Sequence, residues 1–206
     1  CRVNPVTGGK QLILVSEDRE LTLAKQYHPN LVYMYNGRYR GEEVSRYLEG
    51  IVTRLNSVSH RRDLSSGFTL LNSSMHNAFA IPGHVYATRA FVARLENEAQ
   101  FAAVMAHELA HVSALHTAKQ MTNDMLTALG FGLAQQALGG TTAARGLLTA
   151  GQVSVTLFGL SYSREQERQA DRVGTYYMAV AGWDPRQAIE MQRILASLNE
   201  REPGFM

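Results

Sequence analysis

Apolar residues recur at three- and four-residue intervals through most of the chain, a spacing that predicts amphipathic helices. Helices are expected from an N-cap at Ser16 to about Tyr35, from Glu42 to about Ser57, from about Glu98 to His116, from Ser163 to about Gly182, and after Trp183-Asp-Pro185. The last of these is expected to turn a regular set of apolar residues inward: Ile189, Met191, Ile194, Leu195 and Leu198. A mostly helical protein is therefore predicted.

Between residues 66 and 87 the pattern changes to short apolar runs separated by polar and Pro-Gly breaks. These runs predict three strands, at 68–72, 78–81 and 84–88. The fold class is accordingly α+β: a mostly helical single domain with a small sheet beside the helix predicted at 98–116. Its 206 residues are enough for a proper core.

The first fifteen residues contain Pro, Gly and polar residues before a short apolar run. They are predicted to form an N-terminal tether that docks through this run, Leu12, Ile13, Leu14 and Val15. Residues 16–206 are then predicted to form the main domain.

The helix predicted at 98–116 contains the sequence His107-Glu108-Leu109-Ala110-His111. At about 100° per residue, His107 and His111 lie one turn apart on the same face. Two imidazoles in this arrangement can bind one zinc ion, and Glu108 beside them can serve as a general base. A pair of histidines on a helix is also common as a purely structural feature, so the pattern alone leaves both interpretations open.

A second helical stretch, from Ser163 to Gly174, places Glu167 and Asp171 four residues apart on one face. Catalytic zinc sites commonly use two histidines and one glutamate. A zinc-bound histidine also needs an acceptor for its other ring N–H, which a carboxylate can supply. Glu167 as third ligand and Asp171 as that acceptor complete the set. The alternative is an exposed face of mixed charge, which fits Asp171 less well because small and apolar residues surround it.

Together, HELAH and the later SRxxExxxAD pattern resemble the HtpX-like, CaaX-prenyl-protease-type zinc metallopeptidases, and most of all their soluble periplasmic BepA-like branch. The similarity includes three further segments: Asn77–Gly83, Asn97-Glu98 and Gly182–Pro185. It departs from the family at His84, where a second glycine is usual. The resemblance implies that His107, His111 and Glu167 bind one zinc ion per chain and that Glu108 is the general base.

The family implies a zinc-dependent endopeptidase that acts on unfolded or misfolded proteins and peptides in envelope quality control. The extended metzincin pattern is absent, because position 114 is Ala and position 117 is Thr. That leaves the glutamate-ligand class, the gluzincins. Asp171 would orient a zinc-bound histidine, with His107 the candidate. The alternative function is a chaperone or assembly factor for outer-membrane proteins with a latent metal site.

Further candidates line the predicted cleft. An edge strand at Asn77, Ala78, Phe79 and Ala80 would bind extended substrate as an added strand, mainly on the family's precedent, although an inner strand is the alternative. Tyr162 and His84 are candidate oxyanion donors. His116 is not expected to be a ligand, because it lies nine positions beyond His107, on the opposite face of the predicted helix.

Residues 121–160 are predicted to form a helical insert, broken at Gly139-Gly140, between the two halves of the metal site. From Met125 to Leu160 this stretch carries a single charge, Arg145. Polar residues interrupt it, so it lacks the run of 18 or more apolar residues typical of a membrane span. Its position favours either a gate over the active site or plain structural packing.

Charge and cysteine content exclude some functions and suggest a location. A net charge of +2 without a Lys/Arg cluster gives no support for nucleic-acid binding. Cys1 is the only cysteine, which excludes an internal disulfide. It is either an accidental terminus or, as the resemblance implies, the lipid-modified first residue of a lipoprotein in the bacterial periplasm, tethered to a membrane without a spanning helix.

Overall fold

A computed structural model describes residues 1–64, 66–137 and 162–201, with side chains described as far as residue 127 in the second range and residue 197 in the third. The elements in chain order are β1 (Arg2–Val3), β2 (Lys10–Gln11), α1 (Glu17–Met34), α2 (Glu42–Ser57), β3 (Gly67–Leu71), β4 (Ala78–Ile81), β5 (His84–Thr88), α3 (Arg89–Val92), α4 (Glu98–Ser113), α5 (His116–Ala137), α6 (Arg164–Ala181) and α7 (Gln187–Arg201), with a 3-10 turn at Arg62–Leu64. This architecture confirms the predicted α+β class.

Local sequence signals explain where several helices begin and end. Ser16 caps α1 by accepting a hydrogen bond from the Arg19 N–H. Ser163 and Gln166 form a reciprocal capping box at the start of α6, and Gly182 ends that helix with a positive φ of 89°. The bounds predicted for α1, α2 and α6 are confirmed to within a residue or two.

The three-stranded sheet has the order β3-β5-β4. Strand β5 runs parallel to β3 and antiparallel to β4. Gly83, with φ +82°, allows the tight Pro82-Gly83 turn between β4 and β5. In the part of the chain that the structure describes, β4 pairs with β5 alone, so it is an edge strand, as predicted.

Helix α4 lies at the centre of the domain and is buried along most of its length. It packs against the sheet, where Phe101 meets Phe68 edge to face at 5.8 Å. On its other sides it contacts α2, α6 and α7. At Gly174 the backbone of α6 comes so close that an added Cβ would lie 2.9 Å from the backbone N of His107. This glycine therefore allows α6 to approach α4 at the position of the first histidine.

The single helix predicted for 98–116 is wrong, because α4 ends at Ser113 and a second helix, α5, begins at His116. Leu115 between them has a left-handed backbone, with φ +60°. Its side chain is buried against Ile13 and Ala118. The Asn4 amide, also buried, donates a hydrogen bond to the Ala114 carbonyl at 2.9 Å. Contacts from the N-terminal segment thus hold the break in place.

Two predicted apolar faces are partly wrong. Ile13 and Val15 are buried, but Leu12 and Leu14 are exposed, because the segment is extended and successive side chains point in opposite directions. In α7, Met191 is buried whereas Ile189 is 58% exposed, so Ile189 does not belong to the inner face.

Only the first part of the predicted insert at 121–160 lies within the described residues. Residues 121–137 continue α5 as one helix. The expected break at Gly139-Gly140 and the rest of the insert lie outside the described residues. Among the helices that the structure describes, none is long and apolar enough to span a membrane.

Candidate metal centre

Helices α4 and α6 bring together the three side chains predicted to bind a metal. Nε2 of His107 lies 2.9 Å from Nε2 of His111 and 3.3 Å from Oε2 of Glu167. Nε2 of His111 lies 3.7 Å from Oε1 of Glu167. One ligand atom from each residue can therefore face a common centre, with all three atoms within 4.8 Å of one another.

This group fits a zinc ion. Nitrogen and oxygen ligands about 2.0–2.1 Å from a tetrahedral zinc lie about 3.3 Å apart, and the observed separations of 2.9 to 3.7 Å bracket that value. Two imidazoles and one carboxylate are also a common ligand set of catalytic zinc, which leaves one position for water or substrate.

Asp171 lies behind His107, where it was predicted. Its Oδ1 is 2.9 Å from Nδ1 of His107 and also accepts a hydrogen bond from the Gln192 amide at 3.2 Å. The carboxylate can therefore hold the ring proton of His107 on Nδ1, which leaves Nε2 free to bind a cation. Gln192, on α7, has no counterpart in the sequence prediction, which assigned that helix only packing residues.

His111 is held from two sides. The ring of Tyr162 stacks on it at 4.0 Å between centroids, and Nδ1 of His116 lies 3.0 Å from Nδ1 of His111. The predicted placement of His116 on the opposite helix face is wrong, because the break at Leu115 turns His116 back towards the metal group. The left-handed backbone at a leucine gave no signal in the sequence, so this contact was missed.

The imidazoles and carboxylates of the ligand group shift one another's pKa values. Burial lowers the pKa of His107, but its hydrogen bonds to Asp171 and Glu167 outweigh burial and raise the pKa to about 10. Burial raises the pKa of Glu167, yet its contacts with the two histidines hold it well below its usual range. Burial lowers the pKa of His111 to about 4. The two carboxylates therefore favour the protonated form of His107, and a cation bound at Nε2 would displace that proton.

Glu108 interacts with both the ligand group and β4. Burial, reinforced by the charge of Glu167, raises its pKa to about 7, although His107 and a hydrogen bond from the Ala80 backbone lower it. A carboxylate with a pKa near neutrality suits a general base. Because the Ala80 N–H donates to Glu108, the open side of the edge strand faces this carboxylate.

The candidate oxyanion donors have other partners. The Tyr162 hydroxyl lies 3.1 Å from Oγ1 of Thr117, and burial raises its pKa. Nε2 of His84 lies 2.8 Å from Oγ1 of Thr69, within the sheet. Neither of these hydrogen bonds is to a residue of the metal group, so the oxyanion role stays a prediction for both.

A cavity of about 460 Å³ adjoins the site between α4, α6 and α7. His107 and Asp171 form one wall, and apolar side chains that include Met178, Ile189 and Met191 form most of the rest. The cavity therefore offers an apolar environment next to the Asp171 carboxylate.

Two sequence comparisons relate the chain to known proteins. The sequence model of peptidase family M48 matches residues 42–204, which contain all four residues of the predicted zinc and base set. A beta-barrel assembly-enhancing protease of Escherichia coli O157:H7 is 34% identical over 152 residues, which cover 69% of this chain and 31% of that protein.

Mitochondrial relatives are similar over more of the chain. The metalloendopeptidase OMA1 of Schizosaccharomyces pombe is 29% identical over 192 residues, covering 89% of this chain and 54% of the relative. That of Saccharomyces cerevisiae is 25% identical over 217 residues, covering 96% of this chain and 59% of the relative. The chain spans less than two thirds of the length of each of these three relatives.

Proposed function

The chain belongs to peptidase family M48, and on that premise we propose that it is a zinc-dependent endopeptidase. Its ligands are His107, His111 and Glu167, and its general base is Glu108. The observation that carries this proposal is the convergence of two imidazoles and a carboxylate, from two helices, at separations that suit one zinc ion. The alternative of an exposed charged face on α6 does not account for the contacts of Glu167 with both histidines.

The zinc ion and the residues around it would have separate roles in peptide hydrolysis. Bound zinc would supply Lewis-acid polarisation of the scissile carbonyl and stabilise the negative charge that develops on its oxygen. Glu108, partly buried and with a pKa near 7, takes a proton from the attacking water and delivers it to the leaving amine. Asp171 keeps the His107 ring in the tautomer that can bind zinc.

We propose that extended substrate adds to the open side of β4, at Asn77, Ala78, Phe79 and Ala80. The Asn77 carbonyl accepts a hydrogen bond from the Thr88 N–H at 2.9 Å. In an antiparallel pair, the backbone N–H and C=O groups of successive residues point alternately towards the partner strand and away from it. The backbone groups of Ala78 and Ala80 therefore face outwards. The Ala80 N–H already donates to Glu108, so the Ala78 N–H and the carbonyls of Ala78 and Ala80 are the groups that would pair with substrate beside the base.

The test compares the wild type with Glu108→Gln. Metal analysis of both proteins, with casein as substrate, should give one zinc per chain in each and cleavage by the wild type only. Cleavage that survives in the variant would refute the assigned base. A wild type without zinc would overturn the ligand set itself.

For the physiological role we propose cleavage of unfolded or misfolded envelope proteins. The name of the Escherichia coli relative, a beta-barrel assembly-enhancing protease, supports this choice. It also favours a second candidate function, a chaperone or assembly factor for outer-membrane proteins with a latent metal site. The two are distinguished by Glu108→Gln in a barrel-assembly assay, since a chaperone tolerates this change and a protease does not.

We further propose that the protein acts in the bacterial periplasm, anchored to a membrane through a lipid on Cys1. The exposure of Cys1 supports this, because an acyl-bearing residue must reach the bilayer. Mass spectrometry of the protein from its native host should find a diacylglyceryl modification there. An unmodified cysteine, or a residue preceding it, would contradict the anchor.

A further inference from the structure

Two successive polar contacts extend from Nδ1 of His111, on the side opposite the metal group. Its Nδ1 lies 3.0 Å from Nδ1 of His116, and Nε2 of His116 lies 2.9 Å from Oε1 of Gln169. His111 and His116 are both buried, each with 2% of its surface exposed. Water therefore has little access to the nitrogens that face each other.

The positions of the ring protons determine which atoms donate and which accept in these two contacts. An imidazole that binds a cation through Nε2 carries its ring proton on Nδ1. For His111 that proton points at Nδ1 of His116, which must then be the acceptor. His116 consequently carries its own proton on Nε2, where the Gln169 carbonyl oxygen accepts it. Each donor meets an acceptor, and the opposite direction would place a proton on Nε2 of His111, where it would block the metal.

We propose that His116 is a positioning residue for zinc, accepting the Nδ1 proton of His111, and that Gln169 fixes the tautomer in which His116 can do so. This inference rests on the proposed zinc function and extends it. The arrangement differs from that at His107, whose Nδ1 faces a carboxylate. The two zinc-binding histidines are thus oriented by acceptors of different charge.

The break between α4 and α5 makes this contact possible. In one continuous helix, residues five apart lie about 140° from each other around the axis, so His116 would point away from His111. With Leu115 in the left-handed conformation, α5 instead begins with His116 against the back of the ligand.

The experiment measures zinc affinity by competition with a chelating dye for the wild type, His116→Leu and His116→Asn. The matched control is His60→Leu, which removes an imidazole bonded at 2.7 Å to the Tyr177 hydroxyl, outside the metal group. We expect His116→Leu to bind zinc about 10- to 100-fold more weakly than the control, as when other orienting partners are removed. His116→Asn, whose Oδ1 can accept the same proton, should recover at least part of this loss.

A second measurement needs no variant. Nitrogen-15 NMR of the histidine side chains in the zinc-loaded wild type should place the protons on Nδ1 of His111 and Nε2 of His116. A proton on Nδ1 of His116, or a His116→Leu variant that binds zinc as tightly as the control, would overturn this inference alone. A wild type that binds no zinc would overturn the proposed function and this inference with it.

Discussion

At the scale of single residues, the candidate site includes side chains beyond the three proposed ligands. Asp171 faces the Nδ1 atom of His107, and His116 faces that of His111, the two histidines proposed to bind zinc. Such partners fix the ring orientation and tautomer, and their loss typically weakens metal binding even when every ligand is intact. The sequence indicated Asp171 through its four-residue spacing from Glu167. The sequence gave no comparable signal for His116, which contacts His111 only because the backbone turns at Leu115.

We predict that Asp171→Ala weakens zinc binding about 10- to 100-fold, because Nδ1 of His107 loses its acceptor. Competition with a chelating dye measures the effect. Asp184→Ala is the matched control, since Asp184 pairs with Arg186 on the surface and not with the metal group. Equal zinc affinity in the two variants would show that Asp171 does not orient the ligand.

A second prediction for a single residue is that His84 makes the stability of the fold depend on pH. Burial, assisted by the charge of His28, lowers the pKa of His84 to about 4 from an ordinary value of 6.5. Because the folded state favours the neutral ring, the stability contributed by His84 is complete above pH 6.5 and is lost as the pH falls towards 4. Urea unfolding should show a lower free energy of unfolding at pH 5 than at pH 7, by about 1–2 kcal/mol from this residue.

The comparison protein for this measurement is His84→Gln, which cannot titrate. Its free energy of unfolding should fall less between pH 7 and pH 5 than that of the wild type. The same loss in both proteins would assign the pH dependence to other groups.

At the scale of elements, sequence periodicity predicted the helices and strands well, and it failed where tertiary contacts decide the backbone. Strands β4 and β5 have the predicted bounds, and α2 begins and ends where its apolar spacing indicated. The break after α4 was missed because Leu115 is an ordinary helix former in sequence. Its left-handed backbone is stabilised by burial against Ile13 and by the bond from Asn4 to Ala114, contacts across more than 100 residues.

A substitution at Ala78 tests whether substrate pairs with the edge strand β4. In Ala78→Pro the outward N–H is removed while β4 can still pair with β5. We expect kcat/KM for peptide cleavage to fall by up to about tenfold, because one substrate hydrogen bond is lost. Zinc content should be unchanged.

Ala78→Val keeps the N–H and is the control for added bulk at the edge. If the proline and valine variants cleave equally well, substrate does not add to this edge as a strand.

At the scale of the whole molecule, a buried network of charges ties the N-terminal segment to the central helix. Oε2 of Glu20 lies 2.6 Å from Arg2 and 3.1 Å from Arg61, and its side chain is 1% exposed. Arg61 also donates to the Val112 carbonyl in α4 at 3.2 Å. Glu17, which is more exposed, pairs with the same two arginines, so two carboxylates of α1 link the first residues to α4.

Glu20→Ala should lower the free energy of unfolding by about 3 kcal/mol, since it removes the buried partner of two arginines and leaves them only the exposed Glu17 carboxylate. Urea unfolding at pH 7 measures this loss. Glu190→Ala removes a carboxylate from an exposed pair with Arg193 and should cost less than about 1 kcal/mol. A loss of similar size in the two variants would show that the network contributes no more than a surface ion pair.

The central claim is that His107, His111 and Glu167 hold one zinc ion. Anomalous diffraction at the zinc absorption edge, from crystals grown with zinc, tests it most directly. We predict a single strong peak about 2.0–2.2 Å from Nε2 of both histidines and from the Glu167 carboxylate. A peak at other residues, or none within bonding distance of these three, would contradict the account.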